Sequence, residues 1–291
     1  MKGNKTIIVT GGHGYIGNFL VKTLLKSNFK VVCVDQKKGN ILNKKAIYYK
    51  SSIKNFFKDR NIDNIFSIIH LAAESRNSVS LKKPNSVTKK NINDTLTILE
   101  SIRNSKKKPS LFFSSTKQIE IDKKNNFLSP YSISKKTCED LIKFYSYKFK
   151  IKSCILRFSD VYSYTNNPKK KALSSIIFKL KINKNITIVD KKHYFNFVHI
   201  DTICTGIVKL LKKNLALYQE VNFYQKQKVY ITKLVRMLKK ITNSKSQIIF
   251  KKNQHKKSLV QKSTNSYNIA KTIYGKTNII HNLNKIIKDF N

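Results

Sequence analysis

The chain has 291 residues, 40% of them hydrophobic, and a formal net charge of +44. That length and apolar content support a substantial core, and the lack of any run of about 18 consecutive apolar residues speaks against a membrane span. The charge is almost all lysine, with only five arginines, so the bidentate fork that specific phosphate and base recognition favours is scarce and no specific nucleic-acid partner is expected.

In chain order, Lys5 leads without a small-residue cleavage site into an apolar strand at 6–10, so a cytoplasmic protein is expected. A glycine-rich loop at 11–17 precedes a helix over 18–28, in which Phe19, Leu20, Leu24 and Leu25 fall at helical spacing. Short apolar strands follow at 30–35, 66–73, 110–115 and 153–159, separated by helices over 91–103 and 131–149. Strands alternating with helices make a doubly wound parallel α/β sheet, with ligands at the carboxyl ends of the strands. Beyond residue 160 the pattern loosens: a polar loop around Pro168, a helix after it, a strand leading into a helix over 195–211, a strand at 219–224 and a helix over 232–242. The expected division is a Rossmann domain over 1–161, to which 193–214 return, and a smaller mixed lobe of 162–192 and 215–291.

The loop reads G-x-x-G-x-x-G at Gly11, Gly14 and Gly17. In a βα turn the first glycine permits the tight turn, the second lets a pyrophosphate approach the backbone, and the third lets the helix pack closely. By itself the pattern fits an ordinary turn as well as a nucleotide site, but Asp35 ends the next strand 18 residues past Gly17. A carboxylate there can hold a ribose diol and repel a 2′-phosphate, which favours NAD over NADP, although a strand-end turn residue is the plainer alternative. Tyr131 and Lys135 lie four apart on one helical face, where a lysine can favour the phenolate of a tyrosine used as an acid or base. Such a pair arises readily in a lysine-rich helix; Thr116, ending the preceding strand, adds a hydroxyl that could orient a substrate alcohol or carbonyl. Cys33, Cys138, Cys154 and Cys204 form no CxxC pair, and the six histidines lack metal-ligand spacing, so reduced structural thiols and no metal are expected. His70 and His199 read as packing residues, and 251–257, "KKNQHKK", as a solvated loop.

With these residues in view the chain resembles the extended short-chain dehydrogenase/reductases, in particular the NAD-dependent epimerase/dehydratase family that includes UDP-glucose 4-epimerase-like nucleotide-sugar enzymes. "VTGGHGYIG" resembles the family's cofactor loop, "HLAAES" (70–75) its fourth-strand motif and "NINDTLTILES" (91–101) its N-x-x-G-T-x-x-L-L-E helix. "SST" (114–116) with "PYSISK" (130–135) resembles the catalytic set, "LRFSDVY" (156–162) its L-R-x-x-N-V-Y-G strand and "FNFVHIDT" (195–202) its R-D-F-V-H-V-D-D segment. The resemblance implies that Tyr15, Ile16, Asp35, Leu71, Ala72, Ala73 and Asn91 line an NAD site, joined there by Tyr131 and Lys135. It implies that Thr116, Tyr131 and Lys135 are catalytic, that Thr116 and Asp160 touch a nucleotide-sugar substrate, and that the helices at 91–103 and 131–149 pair two copies into a homodimer. The implied reaction is a Tyr/Lys-assisted hydride transfer at a sugar hydroxyl or ketone, as an epimerase or a reductase of a kind used in polysaccharide biosynthesis.

Departures from the family pattern narrow the choice. Lys117 and Gln118 stand where dehydratases carry Asp and Glu, and neither can take over a carboxylate's role in elimination. Glu120 replaces a usual tyrosine, Phe195 and Asn196 replace an Arg-Asp pair whose arginine grips the diphosphate, Asp160 replaces an asparagine, and Ser163 a turn glycine. Alternatives therefore remain: a nucleotide-sugar dehydratase, or a catalytically idle NAD-binding protein of the same fold.

Overall fold

The computed structural model describes residues 5–37, 45–119, 128–163, 172–224, 228–251, 272–274, 283, 286 and 287. Glu120, most of the loop around Pro168, residues 252–257 of the basic run, His255 and His281 lie outside these residues. The chain divides into two units, the first formed by 1–158, 201–223 and 263–273, the second by 159–200, 224–262 and 274–291.

The first unit opens with β1 (Thr6–Thr10), α1 (Tyr15–Lys26), β2 (Lys30–Asp35), β3 (Ile47–Lys50), α2 (Ile53–Phe57), β4 (Ile65–His70), α3 (Asn77–Lys82) and α4 (Pro84–Asn104). It continues with β5 (Ser110–Thr116), a 3₁₀ turn at Lys117–Ile119, α5 (Pro130–Phe149) and β6 (Ser153–Phe158). The second unit holds β7 (Asp160–Tyr162), α6 (Ala172–Lys181), β8 (Ile186–Ile188), β9 (Tyr194–Phe195) and β10 (Phe197–His199), after which α7 (Ile200–Leu211) and β11 (Tyr218–Tyr224) return to the first. β12 (Val229–Tyr230), α8 (Ile231–Ile241) and β13 (Ile248–Phe250) belong to the second unit, and β14 (Thr272–Tyr274) follows.

The central sheet has the order β3-β2-β1-β4-β5-β6-β11-β14, and its first seven strands pair in parallel. Its order reverses between β1 and β4, the switch point at which open α/β sheets bind ligands. Register brings the strand ends level there: Thr10 pairs with Val34 on one side and His70 on the other, His70 with Phe113, and Thr116 with Phe158. Alternate residues serve opposite faces. Ile8, Val34, Ile68, Leu111, Phe113 and Ile155 pack under α2, α4 and α5, while Ile7, Val9, Cys33, Ile69, Phe112 and Leu156 are buried as well. Burial on both faces explains why these strands read as continuous apolar runs.

β11 departs from the expected division: sequence reading places 215–291 in the lobe, whereas Tyr218–Phe223 pairs with Ser153–Phe158 as a strand of the central sheet. Among the described residues the second unit holds three two-stranded ribbons, β7 with β10, β8 with β13 and β9 with β12, around a core that includes Tyr162, Ile177, Phe195, Phe197 and Leu234. Among the described residues no helix is long and apolar enough to cross a membrane. All four cysteines are free and buried.

Candidate active site

The glycine loop is a backbone-on-backbone fit. Gly11 adopts φ +73°, and a Cβ there would lie 2.8 Å from the Ala72 nitrogen. A Cβ on Gly17 would lie 2.2 Å from the Gly11 carbonyl oxygen, so α1 can close on the loop only where residue 17 has no side chain. Gly14, the N-cap of α1, has an ordinary φ of −71°, and no side chain makes a capping hydrogen bond to the helix end. A positive helix terminus at the switch point suits a pyrophosphate.

Asp35 fastens this loop to β2. Its two carboxylate oxygens accept the His13 N–H at 3.1 Å and the Lys37 N–H at 3.0 Å. The His13 ring stacks on Tyr48 with centroids 5.0 Å apart. Asp35 is thus both a turn-organising residue and the acidic group at the end of β2, and the two sequence readings of it are compatible. Leu71, Ala72 and Ala73 are half-buried just past β4, held by the Leu71 N–H on the Thr10 carbonyl and the Ala72 N–H on Thr10 Oγ1.

Asn91, implied by the resemblance to line the cofactor, has its polar atoms engaged within the chain. It is buried in α4, its Oδ1 accepts the Glu74 N–H at 3.1 Å, and its amide donates to the Glu74 carbonyl and, at 3.0 Å, to Ser134 Oγ. Its polar capacity is spent on clamping the "HLAAES" segment to α5. His70, read from sequence as a packing residue, is also a polar joint: Nδ1 lies 2.7 Å from Thr10 Oγ1 and Nε2 3.3 Å from Thr95 Oγ1. Neither role has a sequence signal, because both depend on partners brought in by strand register and helix packing.

Ser129 caps α5 by accepting the Ser132 N–H, and Pro130 takes the first helical position, so the dipeptide "SP" fixes where the helix begins. Tyr131 therefore sits in the first turn and Lys135 one turn on, against β5, whose carboxyl end holds Thr116. Thr116 Oγ1 accepts the Gln118 N–H at 3.2 Å. Lys135 is only 2% exposed, donates to the Ser114 carbonyl at 2.8 Å and lies 4.4 Å from the centre of the Phe113 ring. Burial pulls its pKa down to about 8 against weaker opposition from Cys138 and Glu139. Burial also raises the Tyr131 phenol above its ordinary value. Desolvation thus acts on both groups toward their neutral forms, and the Lys135 ammonium is turned to Ser114 and Phe113.

Residues 7–223 match the family described as the NAD dependent epimerase/dehydratase family. The chain belongs to that family. It is 32% identical over 227 residues to a putative UDP-glucose 4-epimerase of Methanocaldococcus jannaschii, covering 72% of this chain and 74% of that one. It is 29% identical over 242 residues to a dTDP-D-glucose 4,6-dehydratase of Dictyostelium discoideum, covering 71% and 55% respectively. In fold it resembles a UDP-glucose 4-epimerase of Thermotoga maritima solved with UDP-glucose, with TM-score 0.80, 21% identity and 98% of both chains covered. It likewise resembles a Bacillus cereus UDP-glucuronic acid 4-epimerase solved with UDP-glucuronic acid and NAD, with TM-score 0.78, 24% identity and 98% and 100% covered.

Asp160, Phe195 and Asn196 fall in the second unit. Asp160 and Asn196 lock β7 to the β9–β10 segment: Asp160 Oδ2 accepts the Asn196 N–H at 2.8 Å, and the Asp160 N–H donates to the Asn196 carbonyl at 3.0 Å. Phe195, in place of the family's arginine, is buried and stacks on Phe197 with centroids 4.9 Å apart. Among the described residues no group of three or more metal-ligating side chains occurs.

Proposed function

We propose that this chain is an NAD-dependent epimerase or reductase acting on a nucleotide-linked sugar. The observation that carries the reading is Lys135, the single lysine among the described buried residues of a chain whose charge is almost wholly lysine. Burying an ammonium is costly, so its retention beside Tyr131 and Thr116 points to use rather than drift.

Gly11, Gly14 and Gly17 with the amino end of α1 would hold the cofactor's pyrophosphate, Asp35 its adenosine ribose, and Leu71, Ala72 and Ala73 the wall between; Tyr15, Ile16 and, through the Glu74 segment, Asn91 complete the lining. NAD, when bound, supplies a reversible two-electron oxidation of a sugar carbon. Thr116 orients the reacting sugar hydroxyl, Tyr131 takes its proton and later returns it, and Lys135 offsets the charge that develops on the phenol once substrate and cofactor order the site. Asp160 would contact the sugar nucleotide, with a lysine replacing the lost arginine as the diphosphate's counter-charge.

Epimerase or reductase is favoured over dehydratase because the turn after Thr116 carries no carboxylate. Lys117 is a cation, and Gln118 Oε1 accepts from Asn77 Nδ2 at 3.1 Å. A homodimer through α4 and α5 is supported by Phe144 and Tyr147, which are 56% and 52% exposed on one face of α5.

The reading is tested by incubating the protein with NAD and a panel of UDP-, GDP- and dTDP-sugars, following products by NMR and reduced nicotinamide by absorbance. Epimer or ketone formation abolished by Tyr131→Phe supports it. NAD binding without turnover of any sugar would favour the idle NAD-binding alternative, to which the buried Phe195 lends weight.

A further inference from the structure

One buried chain of hydrogen bonds joins the end of β1 to the first turn of α5. The Ala72 N–H donates to Thr10 Oγ1 at 3.4 Å, and Thr10 Oγ1 lies 2.7 Å from His70 Nδ1. On the other side of the ring, Nε2 lies 3.3 Å from Thr95 Oγ1, which donates to the Asn91 carbonyl at 2.9 Å. The Asn91 amide donates to Ser134 Oγ at 3.0 Å, and Ser134 donates to the Tyr131 carbonyl at 2.8 Å.

The directions of these bonds are fixed by counting protons. Thr95 places its one proton on the nearer of its two acceptors, the Asn91 carbonyl at 2.9 Å against 3.3 Å for the ring, so it accepts from the ring and Nε2 carries the hydrogen. Nδ1 is then an acceptor, which Thr10 satisfies with its own proton while receiving the Ala72 N–H. The ring is neutral, as burial and the nearby ammonium of Lys135 require: both hold its pKa well below the ordinary histidine value. The Phe113 ring adjoins both His70, at 5.7 Å, and the Lys135 ammonium, at 4.4 Å. Thr10, His70, Asn91, Thr95 and Ser134 are all at most 3% exposed, so no bulk water can replace a lost link.

The chain's two ends matter more than its middle. Thr10 immediately precedes Gly11 and anchors Ala72, against which Gly11 packs. At the other end is the main chain of Tyr131. We propose that His70 and Thr95 are positioning residues, whose hydrogen bonds set the cofactor loop and the Tyr131 turn in one fixed relation. The inference rests on the NAD-dependent reading above and adds two residues that touch neither cofactor nor substrate.

Thr95→Val keeps the shape and removes the hydroxyl; Thr95→Ser keeps the hydroxyl; Ser134→Ala cuts the chain separately at α5. With melting temperature monitored, NAD affinity by calorimetry and kcat and KM on the best sugar of the panel are measured for each. Thr95→Val is expected to weaken NAD binding and lower kcat each by about three- to tenfold, the worth of one net hydrogen bond, with sugar KM unchanged. Thr95→Ser should return both to within about twofold, and Ser134→Ala should lower kcat alone by a similar factor. Nitrogen-15 NMR of labelled histidine should show His70 as the neutral Nε2–H tautomer with and without NAD. An Nδ1–H tautomer, or equal impairment by Thr95→Val and Thr95→Ser, overturns the proposal. Native behaviour of Thr95→Val in a chain that binds NAD and turns over overturns the positioning role alone, whereas an unsubstituted chain that binds no NAD overturns both readings.

Discussion

Lys135→Met separates the cost of the site from its use. In the folded chain Lys135 titrates at about 8 rather than at its ordinary 10.5, a difference that corresponds to about 3 kcal/mol of disfavoured charge. The sign follows from proton counts. Above 10.5 the amine is neutral in both states and carries no penalty; between 10.5 and 8 the unfolded chain holds a proton that the folded chain does not, so stability falls as pH falls. Below 8 both are charged and the whole penalty is present. Methionine has no such titration, but it forfeits the hydrogen bond to the Ser114 carbonyl, about 1 kcal/mol. The variant should therefore be more stable than the native chain by about 2 kcal/mol at pH 7 and less stable by about 1 kcal/mol above pH 10.5. The Tyr131 phenol, raised by burial, titrates in the same way in both proteins and so cancels from their difference. Urea unfolding followed by circular dichroism at pH 7, 8.5 and 10.5 measures the difference. Parallel stability curves for the two proteins would refute the reasoning, as would turnover in the variant.

Other perturbations test other parts of the same architecture. Gly17→Ala places a Cβ 2.2 Å from a backbone carbonyl, which should cost about 1–3 kcal/mol of stability and abolish NAD binding in a titration calorimeter. Arg157 bridges Glu139 at 2.6 Å and Glu220 at 2.8 Å, and Glu139 is 1% exposed. Arg157→Met should destabilise by about 3–5 kcal/mol in urea, and adding Glu139→Gln should restore most of that. Phe144→Glu, on the exposed face of α5, should abolish the proposed dimerisation in sedimentation velocity while leaving the circular dichroism spectrum unchanged.

The parallel sheet was legible because its strands are buried on both faces and so stand out as apolar runs. α5 matches the helix expected over 131–149, and its start is set by a serine cap followed by proline. β3 escaped notice because its residues, "IYYK", lie at a flank of the sheet and are largely exposed, which erases the apolar signal. α2 spans five residues, too few to show a helical period. α4 begins seven residues before the stretch 91–103, because Pro84 occupies a first-turn position and the following "NSVTKK" is polar. At the site, the glycines, Asp35, Thr116, Tyr131 and Lys135 could be found by residue type and spacing. The roles of His70, Thr95 and Ser134 could not, since nothing in a threonine's neighbours along the chain says which ring nitrogen it will meet across a helix and a strand.

The glycine loop also explains how a chain with a strong lysine and asparagine bias can keep a site. Only eight glycines remain, and Asn28, Lys150, Asn183 and Asn243 adopt positive φ at turns that follow helices, where glycine is the usual residue. Each such substitution costs at most about 1–2 kcal/mol, which a large core absorbs. Gly11 and Gly17 allow no such replacement, because what excludes a side chain there is the backbone of Ala72 and of the loop itself, less than 3 Å away. The same logic separates the lysines. On solvated faces a lysine costs little and its gain says little, but in the core every charge must be stabilised, and among the described buried residues only Lys135 and Glu139 carry one. They stand one turn apart on α5, the first held by Ser114 and Phe113 and the second paired with Arg157. Burial, far more than residue count, is therefore the filter that sets Lys135 apart from the other lysines.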